Sequence, residues 1–175
     1  MARNQPQSTE PGKPKNVKRD PVASGERDAC VNRAASHDFF LLERYETGIA
    51  LRGTEVKSIR AGQANLKDSY GLVQNGELFL LNAHIGVYAP GAQFNHETQR
   101  TRKLLVHRAQ VLKLHAAIQQ KGLTIIPTRM YFKSGRVKVE VAVAKGKQLW
   151  DKRETERRRT ADKEARDAIA RGRKS

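Results

Sequence analysis

The chain has 175 residues, 34 Lys plus Arg against 18 Asp plus Glu, a formal charge of +16 and 38% hydrophobic residues, which fits one domain with tails and an anionic partner. Its longest uninterrupted apolar runs, such as Leu78 to Leu81, are about a fifth of the roughly 20 residues that a membrane span needs, so no membrane crossing is expected. Cys30 is the only cysteine and the five histidines are scattered, which excludes an intrachain disulfide or a Cys-based metal site and argues against a zinc module.

Residues 1–31 hold six basic and four acidic groups among Pro, Gly, Ser, Asn and Gln, the composition of a disordered arm. No apolar stretch follows the first basic residues, so a secretory signal is not expected and the protein reads as cytoplasmic. Phe39 to Tyr45 and Ile49 to Arg52 flank Thr47-Gly48 and read as a strand pair. Thr54 is placed to cap a short helix through Ile59 and Arg60, ended by Gly62. Asn75-Gly76 predicts a hairpin between Leu66 to Val73 and Glu77 to Ile85, because both turn residues tolerate positive φ. Arg108 to Lys121 carries Val111, Leu114 and Ile118 on one helical face before Gly122. Thr124 to Phe132 reads as a strand, with Pro127 marking an edge or bulge. A short turn at Ser134-Gly135 joins it to a partner in which Val137, Val139, Val141 and Val143 alternate with Arg136, Lys138, Glu140 and Ala142. That is the period-two pattern of a strand with one face buried and one face basic. Residues 150–175, with ten basic and six acidic groups, offer too few apolar residues to bury themselves.

Residues 32–149 are therefore the folded part, and they alone hold 18 basic and 8 acidic groups. Many short strands around a small core predict a mainly β fold, an oligonucleotide-binding (OB-like) barrel of about six strands with flanking short helices.

Gly48 to Gly53 has the glycine spacing of a phosphate loop, but Thr54-Glu55 stands where Lys and Ser or Thr are needed, so no nucleotide site follows. Glu46, Glu55 and Asp68 are candidate magnesium ligands for a nuclease, yet pairing with neighbouring Arg and Lys is the favoured reading. The histidines lack a recognisable nucleophile partner. No enzyme chemistry and no cofactor or metal is expected. Lys57, Arg60, Lys103, Lys133, Lys138, Lys145 and Lys147 sit near Tyr70, Tyr131 and Phe132 in the chain, combining phosphate neutralisation with base stacking, as RNA-binding barrels require.

Certain words then resemble the SsrA-binding protein (SmpB) family. They are Asn32-Arg33 with His37-Asp38-Phe39-Phe40; Tyr45-Glu46-Thr47-Gly48; GTEVKSIRAG at 53–62; ANLKDSY at 64–70; Arg102 to Leu105; Tyr131-Phe132-Lys133; Gly135 to Val139; and AKGKQLWDKR at 144–153. The resemblance runs from residue 32 to about 153. It implies a bacterial RNA-binding barrel that holds the tRNA-like domain of transfer-messenger RNA (tmRNA, SsrA) and brings it to stalled ribosomes for trans-translation. In that reading the RNA surface includes Glu46, Leu105, His107 and the words around Asn32, Lys57, Asn65 and Lys138, with Arg33 and His37 beside them. Trp150, Asp151, Lys152, Arg153, Arg157 and Arg158 belong to a tail that lacks structure when free. On the ribosome the tail becomes a helix along the mRNA channel near the decoding centre of the small subunit. Trp150 stands where relatives more usually have Tyr or His, and it is expected either to stack on RNA or to pack on the barrel. A carboxylate at position 46 accepts from a base amino group or a 2′-hydroxyl, or else merely closes an ion pair. The tail's acid-first pairs Glu154 with Arg158, Asp162 with Arg166 and Asp167 with Arg171 favour a helix by a few tenths of a kcal/mol each.

The leading expectation is a monomeric ribosome-rescue factor with tmRNA and the ribosome as partners. A ribosomal or ribosome-assembly RNA-binding protein is the alternative, and an RNA-processing nuclease a distant third.

Overall fold

The computed structural model of the chain describes residues 26–120 and 122–172; residues 1–25, most of the expected arm, and Lys121 lie outside the described residues. In chain order the first elements are β1 (Arg27–Val31), α1 (Arg33–Asp38), β2 (Phe39–Ile49), α2 (Gly53–Arg60), β3 (Ala64–Asn65), β4 (Tyr70–Gln74), β5 (Glu77–Leu81) and β6 (His84–Ile85). A 3₁₀ turn at Ala89–Phe94 precedes β7 (Arg102–Leu105), α3 (Arg108–Ile118), β8 (Leu123–Lys133), β9 (Arg136–Gly146) and α4 (Leu149–Gly172).

The β8–β9 hairpin is the backbone of the fold, two 11-residue strands paired from Leu123↔Lys145 to Lys133↔Arg136. Its turn places Ser134 and Gly135 at φ 49° and 74°, and the β4–β5 turn places Asn75 and Gly76 at 51° and 72°. Two successive positive φ angles match the twist of the flanking strands. Register slips between Pro127 and Arg129, the bulge that a residue without an N–H forces on a paired strand. The sheet order β8-β4-β5-β7-β2-β9, with β9 pairing back onto β8, closes a six-strand ring, and β1 adds to β8 outside it. The interior is filled by Leu78, Leu80, Ile125, Met130, Val139 and Val141, and α3 contributes Leu114. On the outside, α1 covers one end of the barrel, where Ala35 packs with Ile126 and Ala144 against Phe39 and Leu41. No helix among the described residues is long and apolar enough to cross a membrane.

Several expectations are corrected. The arm does not extend to residue 31, because Arg27–Val31 pair with β8 from Arg27↔Phe132 to Val31↔Arg129. The Thr47-Gly48 pair of strands is one strand, β2. Thr47 Oγ1 donates to the Val139 carbonyl at 2.9 Å, and a Cβ on Gly48 would lie 3.2 Å from Leu105 Cβ, so this glycine serves close strand approach and not a turn. Thr54 does not cap α2: Arg52 is the N-cap, and its N–H donates to Glu55 Oε2 at 2.6 Å. Leu66 is buried ahead of β4 and outside it. β9 does not have a uniformly basic outer face, since Glu140 and Ala142 are buried there. The chain ends in a 24-residue helix, α4, over the segment where the tail helix is expected. Its first turns dock on the barrel, and Glu154 bonds Arg158 along its surface.

Candidate nucleic-acid interface

One row of paired residues crosses five strands: Leu105 of β7 opposes Gly48 of β2, Gly48 opposes Lys138 of β9, Lys138 opposes Tyr131 of β8, and Tyr131 opposes Asp28 of β1. Directly opposed residues share a sheet face, and so do residues two apart along a strand. Glu46, Lys103 and Lys133 therefore lie on the same outer face as Leu105, Lys138 and Tyr131. Leu105 is 53% exposed, and His107, exposed at the N-cap of α3, comes two residues later. The alternation that buries Val137 and Val139 turns Lys138 outward.

Glu46 sits at the centre of this face. Tyr131 Oη donates to its Oε2 at 2.7 Å and Lys133 Nζ donates to the same oxygen at 2.8 Å, while Lys138 Nζ lies 3.7 Å from Oε1. Hydrogen bonds from Lys133 and then Tyr131 outweigh partial burial and hold the Glu46 carboxyl below its ordinary range. Tyr131 is 1% exposed, so the stacking role expected for it is corrected. The Arg129 guanidinium lies 4.2 Å from its ring centroid, occupying the face that a base would need. Arg129 is fixed in turn by Glu26 at 3.0 Å, Asp28 at 3.1 Å and Glu140 at 3.6 Å. Burial and the Glu46 bond push the Tyr131 phenol well above its ordinary value.

The other expected residues fall elsewhere. Lys57 and Arg60 project from α2, the first over the Tyr88 ring at 5.2 Å and the second over the Phe132 ring at 5.9 Å. Asn32 and Asn65 line an open groove of about 510 Å³ with Arg33 and Lys67. Asn32 is a structural joint there: its Oδ1 accepts from Ala35 N at 3.2 Å and its Nδ2 donates to the Leu66 and Pro127 carbonyls. Asn65 Oδ1 accepts from Lys67 N at 2.8 Å. On the outer face, Lys103 pairs with Glu77 at 2.5 Å.

A third group gathers where α4 leaves the barrel. Lys147 Nζ donates to the Ser36 carbonyl and to Thr155 Oγ1 and lies 5.1 Å from the Phe40 ring centroid; Lys145, its neighbour in β9, is exposed. Lys152 Nζ lies 2.8 Å from Asp38 Oδ1, and His37 spans 2.9 Å to Asp38 and 3.0 Å to Glu156. Hydrogen bonds to Asp38 and then Glu156 raise the His37 pKa. Asp151 accepts from Gln148 N. Trp150 is 63% exposed with its indole N–H on Gln148 Oε1, so it does not pack on the barrel. Arg153, Arg157 and Arg158 are exposed along α4.

Of the magnesium candidates, Glu55 is fully buried between Arg100 and Arg102 and Glu46 is held by the lysines. Among the described residues no cluster of three or more His, Cys, Asp or Glu could hold a metal ion. Sequence reasoning missed Glu26, Arg129 and Tyr88. The period-two spacing of Arg129, Tyr131 and Lys133 was the available signal for the second of these.

The chain matches the family described as SmpB protein over residues 29–171. It is 70% identical to the SsrA-binding protein of Koribacter versatilis (strain Ellin345) across the whole of both chains. It is 54% identical to that of Desulforudis audaxviator (strain MP104C) over 79% of this chain and 91% of the relative. A solved structure described as "tmRNA-SmpB: a journey to the center of the bacterial ribosome" superposes with a TM-score of 0.60 at 44% identity, covering 69% of this chain and 85% of that one. Apart from Asp28, the outer-face row lies within residues 29–171, as does the α1–α4 junction, and the chain belongs to the SmpB family.

Proposed function

We propose that this protein binds the tRNA-like domain of tmRNA and delivers it to stalled ribosomes for trans-translation, acting as a cytoplasmic, monomeric RNA-binding factor and not as an enzyme. The observation that carries the reading, beside family membership, is the outer sheet face: Lys133 and Lys138 flank the Glu46 carboxylate, whose Oε1 has Lys138 at 3.7 Å, and Lys103 lies farther along the same face. Lysines neutralise phosphates without reading sequence. Oε1 of Glu46 accepts from an RNA N–H or 2′-hydroxyl, which fixes where the RNA sits. Leu105 and His107 extend this face, and Lys57, Arg60, Arg33 and Asn65 supply a second basic side around α2 and the groove.

The partner at the other end is the ribosome, at the decoding centre and mRNA channel of the small subunit. The 24 residues of α4 reach about 36 Å as a helix, with Trp150 offering a flat ring for stacking and Arg153, Arg157 and Arg158 offering charge to ribosomal RNA. His37, Lys145, Lys147, Asp151 and Lys152 set the base of that rod.

The deciding experiment is to isolate the full-length protein from its cells and sequence the RNA that comes with it. A stoichiometric tmRNA is expected. Ribosomal RNA alone, with no tmRNA enriched, would favour a ribosomal or assembly protein instead.

A further inference from the structure

Glu46 is an odd centre for a surface that binds a polyanion. A mobile carboxylate there would repel phosphates and swing freely among the lysines. The geometry removes that freedom. Oε2 takes two donors, the Tyr131 hydroxyl at 2.7 Å and the Lys133 ammonium at 2.8 Å, whereas the nearest cation to Oε1 is Lys138 at 3.7 Å. The two donors to Oε2 differ in kind. Lys133 is a flexible chain 39% exposed, and Glu26 competes for its ammonium at 3.3 Å. Tyr131 is a rigid ring, 1% exposed, clamped under the Arg129 guanidinium at 4.2 Å, and Arg129 is itself tied to Glu26, Asp28 and Glu140. Only the phenol therefore has a fixed position from which to aim the carboxylate.

We infer that Tyr131 is a positioning residue: its buried hydroxyl pins Oε2 of Glu46, leaving Oε1 turned outward as a pre-aimed acceptor for an RNA N–H or O–H donor, while Arg129 holds the tyrosine ring in place. Pre-aiming matters because an acceptor that must first be ordered loses part of its binding free energy to that ordering. This inference rests on the proposed RNA-binding role of the outer face. It reassigns Tyr131 from a surface that touches RNA to a support beneath one, and it explains why a tyrosine and not a phenylalanine stands at a position closed to solvent.

The test uses the full-length protein, a transcript of the tRNA-like domain of tmRNA, and three variants: Tyr131→Phe, Glu46→Ala and the double. Tyr131→Phe keeps the ring and the Arg129 stack and deletes one oxygen. A hydrogen bond to a charged group contributes enough to predict an affinity loss of about tenfold. Glu46→Ala should lose at least as much despite making the surface more positive, and the double variant should be no weaker than Glu46→Ala alone, because the tyrosine acts only through the carboxylate.

A second readout needs no RNA. In a residue-resolved NMR titration of the free protein, Glu46 faces Tyr131 and Lys133 of β8 and Lys138 of β9, with Glu26 titrating nearby on Lys133. Removing a donor to the charged form raises its pKa, so the Glu46 midpoint should move upward in Tyr131→Phe, which general loosening of the core would not single out. An unmoved Glu46 titration, or losses that add in the double variant, would overturn the positioning role. If Glu46→Ala itself binds RNA as the wild type does while the titration still shifts, the pinning stands and the RNA role of this face is what fails. Substituting 2′-deoxy nucleotides, or inosine for guanosine, in the transcript then separates a 2′-hydroxyl donor from a base amino donor.

Discussion

Replacing Glu55 should destabilise the protein more than removing any surface acid, and the structure says by how much. Glu55 and Arg102 are both fully buried. Arg102 donates to Glu55 Oε1 at 2.8 Å and to the carbonyls of Ala83, Arg100 and Thr98, while Arg100 grips both carboxylate oxygens at 2.9 and 2.5 Å. In Glu55→Ala the carbonyls remain, but the Arg102 charge is left buried with another cation beside it. Breaking one side of a buried pair costs about 3–5 kcal/mol, a large share of the roughly 5–15 kcal/mol that holds a domain together. Urea unfolding followed by circular dichroism should show the midpoint falling with little change in slope, and the melting temperature dropping by about 10 °C. Glu77→Ala is the control, since its partner Lys103 is 44% exposed and such pairs contribute about 1 kcal/mol or less. Acid adds a second check. Burial raises the Glu55 pKa, but hydrogen bonds from Arg100, the Arg52 backbone and Arg102 outweigh it and leave it lowered. A lowered folded-state value means that the stabilisation is present above the ordinary carboxylate range and is lost as pH falls through the folded value. The wild type should therefore show a steeper acid limb than Glu55→Ala. Equal costs for Glu55→Ala and Glu77→Ala would refute the argument.

Lys138→Ala should weaken binding to tRNA-like RNA, reduce the slope of log K against log salt by about 0.9, and leave unfolding stability within about 0.5 kcal/mol; an unchanged salt slope would remove Lys138 from the phosphate contacts. Deleting residues 149–175 should leave tRNA-like RNA binding nearly intact and abolish peptide tagging on non-stop messages; tagging at wild-type levels would sink this division between barrel and tail. His37 is raised by its bonds to Asp38 and Glu156, so its contribution to docking α4 is present below the ordinary histidine value and lost as pH rises through the folded value. Helical NMR shifts of residues 150–157 should therefore weaken as pH rises above the ordinary histidine value, and His37→Gln should remove that dependence; identical titrations of the two proteins would show that His37 does not latch the helix.

Much of the barrel was legible in local sequence. Four valines at period two, the Asn75-Gly76 and Ser134-Gly135 turns, and the Arg108 helix with Val111 and Leu114 each carry their geometry in a few adjacent residues. What was not legible depends on distant partners. Arg27–Val31 has too few apolar side chains to read as a strand, and becomes one only because β8 offers an edge and Arg129 a partner for Glu26 and Asp28. Thr47-Gly48 has turn composition, but the glycine is there because Leu105 of another strand comes within contact. The outer-face residues were found one by one, yet the register that joins Leu105, Gly48, Lys138 and Tyr131 in a row arises only from pairing. Tyr131 shows the limit most clearly: its spacing places it on the outer face with Lys133, and only the three-dimensional packing of Arg129 and Glu46 above it reveals that an outward residue is buried.

The two ends of the molecule are joined through few elements, and this has a mechanical consequence. α1 packs on β2, β8 and β9 through Ala35, Ile126, Ala144, Phe39 and Leu41, and α4 docks on α1 through Lys152 and Glu156 directly and through Thr155 by way of Lys147, which bonds the Ser36 carbonyl. β2 and β8 also carry Glu46, Tyr131 and Lys133, so the helix is aligned to the outer face by the same two strands. Those anchors all lie within the first two turns of α4. Farther along, Ile169 is 62% exposed, and the helix is supported by its own backbone and by surface pairs such as Glu154 with Arg158, each adding a few tenths of a kcal/mol. Isolated helices are marginal in water without a packed face. The base of the rod is therefore set by the barrel, while its far end depends on whatever surface it meets. This arrangement suits the proposed role, in which the barrel face holds an RNA and the helix enters a ribosomal channel.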